Sequence, residues 1–321
     1  MRRYVVSRLL LFPPTLVLVS VAIFLMMRVL PGDVALLILG GSGETTDARA
    51  LQLLDSYRQA LGLADPLPVQ YLKWAWSMVN GQFGGSSLID HEPVRAILAR
   101  RLPVTMELAL LAFTIGWLVA IPLGVLAAYY HNRWPDYAAR IPTQVGYALP
   151  NFWVALLVLL LLNRVFHWNP PLFFSPLLED PSANLQQMIW PALVQAWVFS
   201  ATAARVTRSS LLEVLGQDFI RTARGKGLSE WSVAFRHGLR SAIIPVVTIG
   251  GTQLGVLLGG TVILETVFGV PGIGQALVQS AQMRDYPVIQ SFAVVLVALV
   301  LLLNLGIDLL YAFLDPRVRY A

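Results

Sequence analysis

Six stretches of 19 to 24 residues, at positions 9–27, 108–130, 141–163, 185–204, 241–264 and 286–307, carry no charged side chain. About 20 apolar residues in a helix cross the hydrocarbon core of a bilayer, and a helix satisfies its own backbone there. The fold class expected is therefore an all-α integral membrane protein with six transmembrane helices. Composition agrees: the 321 residues are 56% hydrophobic and 13% charged, against about 25% charged in soluble domains. There is no cysteine, which excludes a disulfide framework, a thiolate metal site and a thiol nucleophile. His91, His131, His167 and His237 stand too far apart for metal-ligand spacing, so no metal site is expected.

Arg2, Arg3 and Arg8 precede the first stretch, as in a secretory signal peptide. The run exceeds the roughly 7–15 residues of a signal core and no small-residue cleavage site follows it, so it reads as a retained span. The fourth stretch is diluted by Gln186, Gln187 and Gln195 and interrupted by Pro191; it is expected to face protein or a water-filled path. Lys and Arg near span ends mark the cytoplasmic side. The basic N-terminus, Arg317 and Arg319 at the C-terminus, and seven basic against three acidic residues between Arg205 and Arg240 place both termini and the segment 205–240 inside. Glu179 and Asp180, in a loop without Lys or Arg, fall outside. The net charge of +5 follows membrane orientation and gives no reason to expect nucleic acid as a partner.

The chain divides into residues 1–30, the N-terminus and first span; 31–101, an external loop; and 102–321, the remaining spans. In the external loop Asp47 has the place of an N-cap, Leu51, Leu54 and Leu61 keep a helical stripe, and Gly62 sits where a C-terminal glycine belongs. A second short helix is expected over 69–79. Either a lid over the span ends or a docking surface for an external partner fits this loop.

In the internal segment Leu211, Leu212, Leu215, Phe219 and Ile220 read as one helical face. Asp218 reads as the cap of a short helix from Phe219 to Arg224, Gly225-Lys226-Gly227 as its break, and Ser229-Glu230 as the start of the next helix toward Pro245. Such a knob fits a groove of a cytoplasmic partner; a solvated loop near anionic lipid heads fits the charge as well. Gly225-Lys226-Gly227 is not a phosphate loop, because Ile220 stands where the motif needs glycine and Gly227 where it needs Ser or Thr. Energy for pumping would have to come from another subunit.

Among single residues, Gln144, Asn151, Gln195 and Gln253 suit the wall of a path for peptide-like solutes. Gly251, Gly255 and Gly259 recur every four residues, a stripe for close helix approach or for the side of the path. Glu107, Glu265 and Asp308 lie in or at the ends of spans, where a charge costs roughly 2.5–3.5 kcal/mol; helix-end pairing is expected for the first two and a salt bridge to a neighbouring helix for Asp308. An intramembrane enzyme lacks a nucleophile and base on facing spans, and an ion-coupled carrier would need more ionisable residues within the spans.

Several motifs in order resemble the larger-loop permease subunit of bacterial dipeptide, oligopeptide and nickel ABC importers. They are the start Met1-Arg-Arg-Tyr-Val-Val-Ser-Arg-Leu-Leu, Arg28-Val-Leu-Pro-Gly-Asp33, Leu61-Gly-Leu-Ala-Asp-Pro-Leu-Pro-Val-Gln-Tyr71, Gly81-Gln-Phe-Gly-Gly-Ser86, Arg101-Leu-Pro-Val-Thr-Met-Glu-Leu108, Glu265-Thr-Val-Phe-Gly-Val-Pro-Gly-Ile-Gly274, Arg284-Asp-Tyr-Pro287 and Asp315-Pro-Arg-Val-Arg319. His167-Trp-Asn-Pro-Pro171 departs from the Gly-Trp-Leu-Pro more usual there. The resemblance implies a type I ABC importer permease fold in the bacterial inner membrane, without catalysis or a bound cofactor. It implies a second permease, two ATPase subunits that bind ATP and Mg²⁺, and an external solute-binding protein as partners, besides membrane lipid. The solute would be a di- or oligopeptide, glutathione or a nickel or other metal chelate. The ATPase-coupling segment would comprise Asp218, Ile220, Arg221, Thr222, Ala223, Arg224, Gly225, Lys226, Gly227 and Leu228.

Overall fold

The computed structural model describes residues 2–29, 65–171 and 173–314. The cap and stripe expected at Asp47, Leu51, Leu54, Leu61 and Gly62 lie outside the described residues. The elements are α1 (Arg2–Val29), α2 (Leu67–Val79), α3 (Val94–Tyr129), α4 (Trp134–Ala148), α5 (Asn151–Phe166), α6 (Pro181–Leu215), α7 (Asp218–Gly225), the single turn α8 (Glu230–Ser232), a π-helical turn (Val233–Gly238), α9 (Leu239–Phe268), α10 (Ile273–Met283) and α11 (Tyr286–Leu314). No strand occurs among the described residues beyond one isolated bridge between Ser86 and Pro93. The helix expected over 69–79 is α2.

Among the described residues, four single helices are long and apolar enough to cross a membrane: Val5–Arg28, Val94–Tyr129, Pro245–Phe268 and Tyr286–Leu309. The third apolar run, read as one span over 141–163, is a broken pair of helices. It is split into α4 and α5, bent by 109°. Pro150 has no N–H and its ring bars helical geometry at the preceding residue; Leu149 is accordingly extended (φ −92°, ψ 137°) and α5 restarts after Pro150. Pro142 and Pro191, by contrast, sit inside continuous helices.

The chain forms two compact units. The first comprises residues 1–10, 103–275 and 300–321. Its central element is α6, 35 residues long, more than enough for the hydrocarbon core at 1.5 Å per residue. Its polar side chains Asn184, Gln187, Gln195, Ser200 and Thr207 are all buried, which is why its sequence is less apolar than its neighbours'. The helix is started by Asp180, whose Oδ1 accepts from the backbone N–H groups of Ser182 and Ala183, both at 3.0 Å. α3 passes α6 at Gly124, where a Cβ would lie 2.7 Å from the Ala204 carbonyl; a side chain there would push the helices apart. The apolar core of this unit holds Leu108, Met188, Ala192, Leu264 and Phe268. Arg8 and Asp308 form the expected interhelical ion pair at 3.3 Å.

The second unit comprises residues 11–102 and 276–299. α2 packs Tyr71 and Trp74 against Phe24 of α1, with ring centroids 5.6 and 5.7 Å away, and the hydroxyls of Tyr71 and Ser20 hydrogen-bond at 2.8 Å. The loop that follows is clasped by α11 and the residue before it. Ser291 donates to the Phe83 carbonyl at 2.7 Å, and Asp285 accepts from the Ser87 hydroxyl and the Leu88 N–H. Phe83 of the Gly81–Ser86 motif and Asp285 of the Arg284–Pro287 motif, far apart in sequence, thus serve one clasp through Ser291 and Ser87.

His167, where the chain departs from the more usual glycine, caps the C-terminus of α5 with φ +51°, and its N–H and that of Trp168 return to the carbonyls of Asn163 and Leu162. A left-handed residue in this position is what favours glycine; histidine adopts the same conformation here.

Candidate functional site

Two places in the first unit gather the residues that the sequence singles out. One is a cavity of about 430 Å³ whose lining includes Tyr147, Asn151, Gln195, Thr202 and Gln253. The bend at Pro150 creates it: by turning α5 away from α4, it leaves the backbone between them open toward α6 and α9. Asn151, Gln195 and Gln253 therefore converge although they lie on three helices. They differ in what they have left to offer. Gln195 is 2% exposed, donates its Nε2–H to the Leu257 carbonyl at 2.9 Å and accepts from Asn151 Nδ2 at 3.4 Å. Gly260 makes room for it, since a Cβ there would meet Nε2 at 2.4 Å. Gln195 is thus spent on joining α5, α6 and α9. Gln253 makes no side-chain hydrogen bond within the described residues and faces the cavity. Thr202 and Tyr147 complete the polar wall; a hydroxyl in an alanine-rich helix segment was the only sequence signal for Thr202.

Gln144 does not face this cavity. It lines a second one of about 260 Å³ with Arg140, Thr143, Arg205 and Arg208, and Tyr147 borders both. The glycine stripe of α9 divides. Gly251 and Gly255 face α11, where a Cβ would meet Ile307 at 2.7 Å and Val300 at 3.1 Å, whereas Gly259 has open space beside it. Gly251 and Gly255 are seated in a helix-to-helix contact, and none of the three lines the 430 Å³ cavity.

The other place is the knob that joins α6 to α9. α6 ends at Leu215, Gly216 and Gln217 reverse the chain, and α7 turns its buried Ile220 and Ala223 onto Leu211, Val214 and Val233. Two readings are corrected here. Asp218 is the first residue of α7 and does not cap it; Gln217 has the cap position and makes no side-chain bond there. Phe219 does not share a face with Leu211 and Leu215, because the break at Gly216 and Gln217 resets the helical phase, and it is 42% exposed. Ser229 behaves as read: its hydroxyl accepts from the Ser232 N–H at 3.3 Å. Gly227 is in the left-handed region with φ +75° and nothing packs beside it, so glycine is needed for the backbone turn and not for space.

The outer surface of the knob carries Asp218, Arg221, Thr222, Arg224, Gly225, Lys226 and Leu228, all exposed. Arg224 spans the glycine break with a forked ion pair to Glu230, at 2.8 and 3.2 Å, which ties α7 to the next turn. From there the chain runs through the π-helical turn into α9, with Gly238 so close to α6 that a Cβ would lie 2.7 Å from Leu211 Cδ1. Ile220 and Ala223 of α7 thus share one packed cluster with Leu211 of α6 and Ala242 of α9.

Two buried carboxylates hold this unit. Asp136 of α4, fully buried, receives Arg208 of α6 in a bidentate pair at 2.8 and 2.7 Å and the Asn132 N–H at 3.0 Å. Glu265, also fully buried, accepts from the Thr105 hydroxyl at 2.7 Å and the Gln275 N–H at 3.0 Å, while Thr105 Oγ1 accepts from the Ile273 N–H at 2.8 Å. Glu265 thus has the expected helix-end pairing, with the start of α10. Glu107 meets the Asn184 side chain near the start of α6. Among the described residues no group of His, Asp and Glu is arranged to hold a metal ion.

Residues 1–109 match the family described as binding-protein-dependent transport system membrane component, N-terminal, and residues 120–320 match binding-protein-dependent transport system inner membrane component. The chain belongs to this family. As a binding-protein-dependent permease it has relatives of its own length. It is 38% identical over 322 residues to the oligopeptide transport system permease protein AppB of Bacillus subtilis (strain 168), covering 100% of both chains. It is 39% identical over 320 residues to the glutathione transport system permease protein GsiC of Salmonella paratyphi A (strain ATCC 9150 / SARB42), again with 100% of both covered. A solved structure described as the crystal structure of an amino acid ABC transporter with histidines superimposes with a TM-score of 0.54 at 19% identity, over 68% of this chain and 94% of the other. That likeness is one of fold: the permease has the helical architecture of a type I ABC importer subunit and is a multi-pass membrane protein.

Proposed function

We propose that this permease is one of two membrane subunits of an ATP-driven importer and forms, with a second permease, the path for di- or oligopeptides delivered by an external binding protein. The observation that carries the reading is the knob: Ile220 and Ala223 fix it to α6 and the π-helical turn, while its basic outer surface is left for a partner. Two cytoplasmic ATPases, holding ATP and Mg²⁺, press on that surface. The chain itself binds no cofactor and performs no chemistry on the solute. Both termini and the knob face the cytoplasm of a bacterial inner membrane. Solute passes the cavity of Asn151, Gln195 and Gln253, whose neutral amides suit peptide bonds as alternating donors and acceptors.

Gly227→Val tests the coupling. A β-branched residue at φ +75° costs about 1–2 kcal/mol of local strain and re-aims the knob without touching the spans. Uptake into proteoliposomes and solute-stimulated ATP hydrolysis are expected to fall at least tenfold while insertion and assembly persist; transport at the wild-type rate refutes the coupling role. Glutathione is a second reading, motivated by the similarity to GsiC. Competition between glutathione and dialanine for uptake separates the two.

A further inference from the structure

The 260 Å³ cavity between α3, α4 and α6 has Arg140, Arg205 and Arg208 in its wall and no carboxylate. Three guanidiniums around one space repel each other unless anions are near. Asp136, behind the wall, supplies one negative charge, and both of its oxygens are taken by Arg208; three cations less one carboxylate leave two. Arg140 feels Asp136 electrostatically without a hydrogen bond to it. Arg205 stands 4.6 Å over the ring of Tyr147, and Arg140 stands 5.9 Å from the ring of Tyr137. Neither donates a hydrogen bond to any described residue. Two guanidiniums, Arg140 half-buried and Arg205 exposed, thus border a space that the chain does not fill.

Tyr147 is the bridge to the neutral cavity, since it lines both. Its ring packs under Arg205 and holds the guanidinium at the boundary. Thr143 and Gln144 add neutral donors and acceptors beside the arginines. A neutral amide-lined chamber that shares one aromatic wall with a chamber carrying two guanidiniums matches a solute with peptide bonds at one end and an anionic group at the other. We propose that Arg140 and Arg205, with Tyr147 between the chambers, form a binding site for the free carboxylate of the peptide in transit. This rests on the peptide-permease reading. The planar fork of arginine suits a carboxylate, and the two remaining cations let the site hold the anion without a cation of the solute.

The assembled complex, without its binding protein, is placed in nanodiscs of phosphatidylcholine or of phosphatidylglycerol, and binding of radiolabelled dialanine is compared with that of its C-terminal amide. The acid is expected to bind about tenfold more tightly than the amide in both lipids, and the preference to vanish in R140Q/R205Q and to survive in part in R140K/R205K. Equal binding of acid and amide, no detectable binding of the acid, or a preference that persists in R140Q/R205Q overturns the site. A preference seen only in phosphatidylcholine also overturns it, because an anionic lipid head group then occupies the cavity. ATP-driven uptake of dialanine with the binding protein is measured beside these. Intact uptake with any overturning result removes the carboxylate site alone, and absent uptake removes the peptide reading itself.

Discussion

Asp136 and Glu265 are both fully buried carboxylates in one helical unit, and they are accommodated by opposite means. Asp136 meets a cation, Arg208, with good bidentate geometry. Glu265 has no cationic partner among the described residues; it is held by the Thr105 and Thr261 hydroxyls and by the Gly274 and Gln275 N–H groups at the start of α10, whose positive dipole end points at it. The difference follows from position. Asp136 sits in the first turn of α4, beyond the apolar run, and faces the basic end of α6 that carries Arg205 and Arg208. Glu265 closes α9, where the chain turns back at once and the free N–H groups of the next helix are nearest. Gly272 permits that turn, because a Cβ there would lie 2.3 Å from the Glu265 carboxyl carbon.

The comparison breaks first at the ion pair. Arg208→Met leaves Asp136 buried without its cation and is expected to destabilise the permease by about 3 kcal/mol, measured by equilibrium unfolding in mixed micelles. Adding Asp136→Asn should restore most of the loss, and a double variant no better than R208M would deny that the pair is the cause. Next comes Thr105→Val, which keeps the shape and removes the hydroxyl that serves both Glu265 and the Ile273 N–H. The expected loss is about 2 kcal/mol, the desolvation of groups left without a partner, and an unchanged unfolding midpoint contradicts it.

Smaller effects sharpen the contrast at partly exposed carboxylates. Asp308→Asn breaks the pair with Arg8, whose side chains are 31% and 44% exposed; water screens it, so the change should stay under about 1 kcal/mol. Asp180 is the smallest case. The Ala183 and Ser182 N–H groups and the Ser182 hydroxyl hold its carboxyl below the usual carboxylate range. A depressed value means that its contribution is present above the ordinary value near 4 and is lost as the pH falls through the depressed one. Unfolding of wild type and Asp180→Ala should converge at low pH and diverge slightly above it; a gap that does not change with pH places the effect elsewhere.

How much of the site was legible differs by residue. Asn151, Gln195 and Gln253 stand out in sequence because amides are rare in apolar runs, and their convergence depends on the bend at Pro150. The knob could be drawn as two short helices around Gly227 because capping and glycine signals are local. Its inner and outer faces could not be assigned, since Ile220 and Phe219 are adjacent and only contact with Leu211 and Val233 separates them. Asp136 and Arg208 lie 72 residues apart, and Thr105 and Glu265 160; one sequence offers no signal that joins them.

The sequence by itself determined that the chain spans a membrane several times, which ends of the spans carry charge, and where the basic break falls. These follow from the transfer of apolar and charged groups between water and hydrocarbon, a property of each segment alone. The tertiary structure decided that the third run is a bent pair, that Gly251 and Gly255 seat a neighbouring helix, and that two arginines from α4 and α6 share a cavity. Those outcomes depend on which surfaces meet, and packing between distant segments is not written in the hydropathy of either.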